Sequence, residues 1–267
     1  MRRITWFNTV SLTLGFAFLY VPMQILIVFS FNASKLVTVW AGFSTRWYGE
    51  LLSNEAFLDA AWVTLKVALA SSTIATLLGT MAAYVLVRGG RFFGRTLFSG
   101  MIYAPLVMPE VITGLSLLLL FVTLQQWFGW PGQRGFGTIT IAHTTFSMAY
   151  VAVIVRSRLA AMDQSLEDAA MDLGCRPTRV LFDITLPLIA PAMIAGWLLS
   201  FTLSLDDLVI ASFVSGPGSN TLPMVIFSKV KLGVTPDINA LASIFILIVA
   251  TGLIISWLLL QRRKTAS

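Results

Sequence analysis

The chain has 267 residues, 57% of them hydrophobic and only 11% charged, with a formal net charge of +6 and a mean hydropathy of +0.85. Soluble domains average roughly 25% charged residues, so a soluble enzyme, a nucleic-acid binder and a disordered tail all fit poorly, and the class is integral membrane protein. One cysteine, Cys175, and one histidine, His143, leave no internal disulfide and no multi-histidine metal site.

An α-helix crosses a bilayer with roughly 20 apolar residues. No charge lies between Arg3 and Lys35, which predicts a first span near 9–30. That span is too long for a signal-peptide core and lacks a small-x-small cleavage site, so it is expected to stay in the mature protein. The 31–60 stretch is polar and aromatic, with Trp40, Trp47 and Tyr48, and reads as an external interfacial segment. Five further spans are expected at 67–87, 96–124, 135–155, 184–205 and 238–261. Between the last two, residues 208–228 are apolar but broken by Gly216-Pro217-Gly218-Ser219-Asn220, and read as an external loop or a re-entrant piece. The expected organisation is an N-terminal helix 1–34, an interfacial segment 35–60, a membrane domain 61–260 and a tail 261–267, all-α with six transmembrane helices.

Orientation follows from the cations. With both termini inside, the cytoplasmic segments hold 12 of the 18 Lys and Arg residues, among them Arg88, Arg91, Arg95, Arg156, Arg158, Arg176 and Arg179. The positive-inside rule therefore supports N-in, C-in. Topology alone accounts for the basic balance, and no nucleic-acid partner is needed.

Most loops are short, but 159–187 is long and patterned. Ser165 followed by Asp168 reads as a capping-box start with Asp in place of Glu or Gln. Leu166, Ala169, Ala170 and Leu173 recur at helical spacing, flanked by Glu167, Asp168 and Asp172, with Gly174 as a stop. Pro177 opens a second short helix, and Pro187 is expected to break the pattern and start the next span. A preformed helix with an acidic flank suits docking of a soluble partner. The alternative is an amphipathic helix on the membrane lipid, which anionic headgroups would disfavour.

Asp168-Ala169-Ala170, three residues, Gly174, nine residues, then Ile184-Thr185-Leu186-Pro187 resembles the EAA signature of ABC-importer permeases, with Asp168 where the family usually has Glu. The resemblance implies a type I ABC-importer permease (MetI-like) fold in a bacterial inner membrane. It also implies that Glu167, Asp168, Ala169, Ala170, Gly174, Ile184, Leu186 and Pro187 belong to a coupling helix and its flank, seated in a cytoplasmic ATPase. A second homologous permease subunit, two ATPase subunits and a periplasmic substrate-binding protein would complete the importer. ATP and Mg would be bound by the ATPase, with no cofactor and no catalysis on this chain. Residues 35–52, 104–121 and 199–223 resemble the polyamine-importer permeases, most closely the putrescine type.

Independently of that likeness, Glu110 lies within an apolar run, where an acid facing lipid costs roughly 2.5–3.5 kcal/mol. It is expected to face the protein interior or a water-filled path, sharing a face with Thr113. Ser200, Ser204 and Asp207 recur on one face of the fifth span, with Asp206 about 100° round from Asp207. Acids at mid-depth and at the outer mouth suit a polyamine cation. They equally fit structural bonds across helices, and His143 reads as a satisfied interior histidine. Gly89–Thr96 imitates a P-loop, but a membrane span rather than a strand precedes it, so it reads as a basic turn. A stand-alone secondary transporter is the rival reading, and the patterned loop argues against it.

Overall fold

The computed structural model describes residues 5–36, 39–233, 235–247 and 250–251. Among these, helices and turns account for the fold, and a lone β-bridge joins Asn32 to Phe43. The chain forms two compact units, one from residues 1–58 and 226–267 and the other from residues 59–225.

In the first unit, α1 (Trp6–Phe29) buries none of its residues, which for an apolar helix is the signature of a lipid-facing span. Asn32 then gathers the following loop. Its Nδ2 donates to the Val39 carbonyl at 2.7 Å and its Oδ1 accepts from the backbone N–H groups of Ser34 and Ala41. Its own carbonyl accepts from the Trp47 indole at 2.6 Å. That anchors α2 (Arg46–Leu52), which buries Trp47 and Leu51. The interfacial segment therefore carries a small core of its own. Lys229 pairs with Asp237 at 2.6 Å and lies over the Phe57 ring.

The second unit is built on α3 (Glu55–Arg88), α4 (Arg95–Val107), α5 (Glu110–Phe128), α6 (Phe136–Ala161), α7 (Ser165–Asp172), α8 (Pro177–Val180), α9 (Leu186–Asp206) and α10 (Val209–Val214), with α11 (Leu222–Leu232) following. Small residues let three of these helices approach closely. Val151 of α6 sits between Gly79 of α3 and Gly196 of α9. A Cβ on Gly79 would lie 2.9 Å from the Val151 Cβ, and one on Gly196 would lie 3.2 Å from the Val151 Cγ1. A second core joins Val67, Phe121, Ile139, Ala142 and Phe146 to Ile210, Ala211 and Val214 of α10.

Five of the described helices are long and apolar enough to cross a membrane: α1, α3, α5, α6 and the rod Pro177–Asp206. A shorter apolar helix, α12 (Pro236–Leu247), begins the sixth expected span, and the rest of 238–261 lies outside the described residues apart from 250–251.

Three expectations change. The third span is not one helix: it breaks at Met108-Pro109 into α4 and α5. Proline disfavours helical backbone in the residue before it, and Met108 is accordingly extended, with φ −76° and ψ 134°. Pro187 does not interrupt the chain either, since α8 runs through a π-helical turn, Leu181–Thr185, directly into α9. The wider turn stands where the proline ring would crowd the preceding carbonyls. Of residues 208–228, expected as an external loop or a re-entrant piece, only 215–221 are a loop, since α10 packs into the second core and α11 follows.

Candidate functional site

Two clusters of side chains stand out, one in the 159–187 loop and one at the outer end of α9. In the loop, the expected capping box does not form. Asp163 takes the role instead, its Oδ1 accepting from the Ser165 backbone N–H at 2.9 Å. That hydrogen bond holds the Asp163 carboxyl below its ordinary value. The helix ends at Gly174, whose φ of +87° is open to glycine at no steric cost. There the Cys175 N–H bonds the Ala170 carbonyl and the Gly174 N–H bonds the Met171 carbonyl, a Schellman stop.

The apolar stripe expected to serve docking stays open except at Ala170, and the acid Glu167, expected on its flank, is buried instead. Glu167 and Ala170 point inward, whereas Leu166, Asp168, Ala169, Asp172, Leu173 and Gly174 are exposed. The reason is a long-range ion pair. Glu167 Oε2 lies 2.6 Å from Nε of Arg88, the last residue of α3, with side-chain exposures of 8% and 12%. Glu167 Oε1 accepts from the Thr185 hydroxyl at 2.6 Å. A paired acid therefore takes the inward position, and the apolar side chains at 166, 169 and 173 are presented outward between acids. Arg88 Nη2 is buried without a partner, beside a cavity of about 150 Å³ lined in part by Tyr84, Gln164 and Asp168. Ile184 and Leu186 are half-buried and Pro187 is exposed.

The expected path residues separate. Glu110 opens α5 and is exposed, while Thr113 is buried and its hydroxyl bonds back to the Pro109 carbonyl. Asp206 is exposed and Asp207 is not. Asp207 Oδ2 meets His143 Nε2 at 3.0 Å and the Ala211 N–H at 2.8 Å, and Oδ1 accepts from the Ile210 N–H. His143 Nδ1 meets the Ser204 hydroxyl at 2.7 Å, and Ser71 donates to Ser204 at 3.2 Å. A carboxylate only accepts, so Nε2 carries the proton that faces Asp207. One chain of hydrogen bonds runs Ser71, Ser204, His143, Asp207 across α3, α9 and α6 to the start of α10. Ser200, one turn below Ser204, is buried with its hydroxyl unbonded. Sequence reasoning placed Ser204 and Asp207 on one stripe but missed the partnership of Asp207 with His143, and that of Glu167 with Arg88 and Thr185. No group of three His, Cys, Asp or Glu residues that could hold a metal occurs among the described residues.

Residues 75–263 match the family described as binding-protein-dependent transport system inner membrane component. The chain is 61% identical over 262 residues to the putrescine transport system permease protein PotI of Escherichia coli (strain K12), covering 98% of this chain and 93% of that one. It is 43% identical over 254 residues to the spermidine/putrescine transport system permease protein PotC of the same organism, covering 95% and 93%. Among solved structures, a bacterial ABC transporter involved in the import of the acidic polysaccharide alginate superposes with a TM-score of 0.71 at 17% identity, over 98% of both chains. The MetNI methionine ABC transporter gives 0.59 at 15% identity, over 80% of this chain and 95% of that one. At those identities the likeness is one of fold.

Proposed function

Because the chain belongs to the family of binding-protein-dependent transport system inner membrane components, we propose that it is the permease subunit of an ATP-driven importer that moves a polyamine, putrescine foremost, across the inner membrane. The observation that carries the substrate is the 61% identity to a putrescine permease along 98% of the chain. The fold is that of an ABC-importer permease, multi-pass and all-helical. A second homologous permease subunit would enclose the path with it, two cytoplasmic ATPase subunits would hold ATP and Mg, and a periplasmic binding protein would deliver the cation. This chain does no chemistry. Its work is to convert ATPase closure into alternating access, with α7 as the seat of the ATPase.

The outward surface of α7 supports that role: apolar side chains at 166, 169 and 173 beside Asp168 and Asp172 give a soluble partner both an apolar contact and charge complementarity. On the substrate side, Asp207 has its carboxylate committed to His143 and two backbone amides, so Glu110 at the start of α5 and Asp206, both exposed, are the path acids open to a passing cation.

The test is energised uptake of labelled putrescine, competed by spermidine, arginine and a neutral sugar, with and without this subunit. Uptake that disappears on deletion and is blocked only by polyamines is the expected result. Unaffected putrescine uptake with another solute lost would keep the permease and discard the polyamine. In the same assay Glu110→Gln is expected to slow putrescine uptake roughly tenfold, the equivalent of about 1.4 kcal/mol. Unchanged uptake would remove Glu110 from the path.

A further inference from the structure

We propose that Glu167 is a positioning residue for energy coupling, not a contact for the ATPase: with Arg88 and Thr185 it forms an internal clamp that makes the coupling helix move together with two membrane helices. The inference rests on the reading of α7 as the seat of the ATPase and assigns what happens behind that seat.

The geometry is specific. A single carboxylate, on an eight-residue helix, reaches two other elements at once. Its Oε2 holds the guanidinium at the cytoplasmic end of α3, and its Oε1 holds the hydroxyl that closes the π-helical turn leading into α9, each at 2.6 Å. Both oxygens are occupied and the side chain is nearly fully buried, so nothing is left of Glu167 for a partner to bind. Asp168, its neighbour, is exposed.

Arg88 is also fixed at its base. The Arg95 guanidinium caps the end of α3 through the carbonyls of Leu86 and Gly90, at 2.7 Å each. A buried ion pair is a poor source of net stability compared with apolar packing, and its best-attested use is to enforce one geometry. The clamp joins α7 to α3 and to the turn that leads into α9, so a push on α7 is handed to both. Without it, Ala170 would be the buried residue left on α7, and more of a displacement of the loop would be absorbed at the Gly174 turn instead of reaching the membrane.

The experiment uses the complete importer reconstituted in liposomes with its binding protein, carrying Glu167→Gln or Thr185→Val, normalised to assembled complex. Gln keeps the shape but removes the charge facing Arg88, and Val leaves the ion pair while cutting the link to α9. Both variants are expected to assemble and to hydrolyse ATP at near the unmodified rate. Putrescine carried per ATP should fall about tenfold in Glu167→Gln, within the range of coupling between linked sites, and less in Thr185→Val. Undiminished transport per ATP in both would overturn the proposal, leaving the pair a fold element only. Failure of both to assemble with the ATPase would overturn it too, because the clamp would then govern docking. Ala169→Glu run alongside tests the seat itself, so failure of that reading is seen separately.

Discussion

Ala169→Glu should remove uptake almost completely while leaving the amount of chain in the membrane unchanged. Ala169 is exposed on α7 beside Leu166 and Leu173, where a substitution alters folding by no more than about 0.5 kcal/mol. Docking is another matter. The new carboxylate joins Asp168 and Asp172 on the surface a partner must cover. Burying an uncompensated charge at an interface costs about 2–5 kcal/mol, which corresponds to a loss of docking from roughly thirtyfold to several-thousandfold. The check is twofold: putrescine uptake in energised vesicles, and recovery of the ATPase subunit with the tagged permease. Normal uptake would place the ATPase seat elsewhere.

His143→Leu is expected to be the most destabilising single change at the outer cluster, and removal of Asp207 together with it less so. His143 is 2% exposed and bridges α6 to α9 and to the start of α10. Leucine leaves the buried Asp207 carboxylate with only the Ile210 and Ala211 amides to bond it, and taking a hydrogen-bond partner from a buried charged group costs about 3 kcal/mol. For a chain of this length that lowers the unfolding midpoint by roughly 10 °C. In His143→Leu with Asp207→Asn, no orphaned charge remains and the amide still bonds the start of α10. The two changes should therefore fall well short of additive. Thermal unfolding of the purified importer in detergent measures both. A double variant no more stable than His143→Leu would mean that the hydrogen bond lost from Asp207 is not what destabilises the single variant.

Much of the fold was legible because hydropathy and charge placement act through the bilayer, which every residue meets directly. Most of the spans followed from uncharged runs. The helix-turn-helix in 159–187 was equally readable, since Gly174 and Pro177 act on their own backbone. What escaped depended on contacts across the chain. Hydropathy is blind to whether apolar residues form one helix or two, so the break at Pro109 was hidden in a continuous run. The pattern of α7 gave no sign that Glu167, expected on the acidic flank, is buried, because Arg88, 79 residues earlier, supplies the partner that makes a buried Glu167 tolerable. The pairing of His143 with Asp207, 64 residues apart, likewise has no local signal beyond the presence of both in apolar surroundings.

The unbroken passage of α8 through the π-helical turn into α9 has a mechanical consequence. The 30 residues from Pro177 to Asp206 form a rod of roughly 45 Å at 1.5 Å per residue, with its base at the ATPase side and its tip at the His143–Asp207 cluster. Pivoted at one end, such a rod tilted by about 10° sweeps the other end through roughly 8 Å, more than the rise of a full helical turn. If α7 is the seat of the ATPase, a modest rocking at the base of this rod is enlarged at its tip into a displacement on the scale of a small cation, with no hinge needed between them.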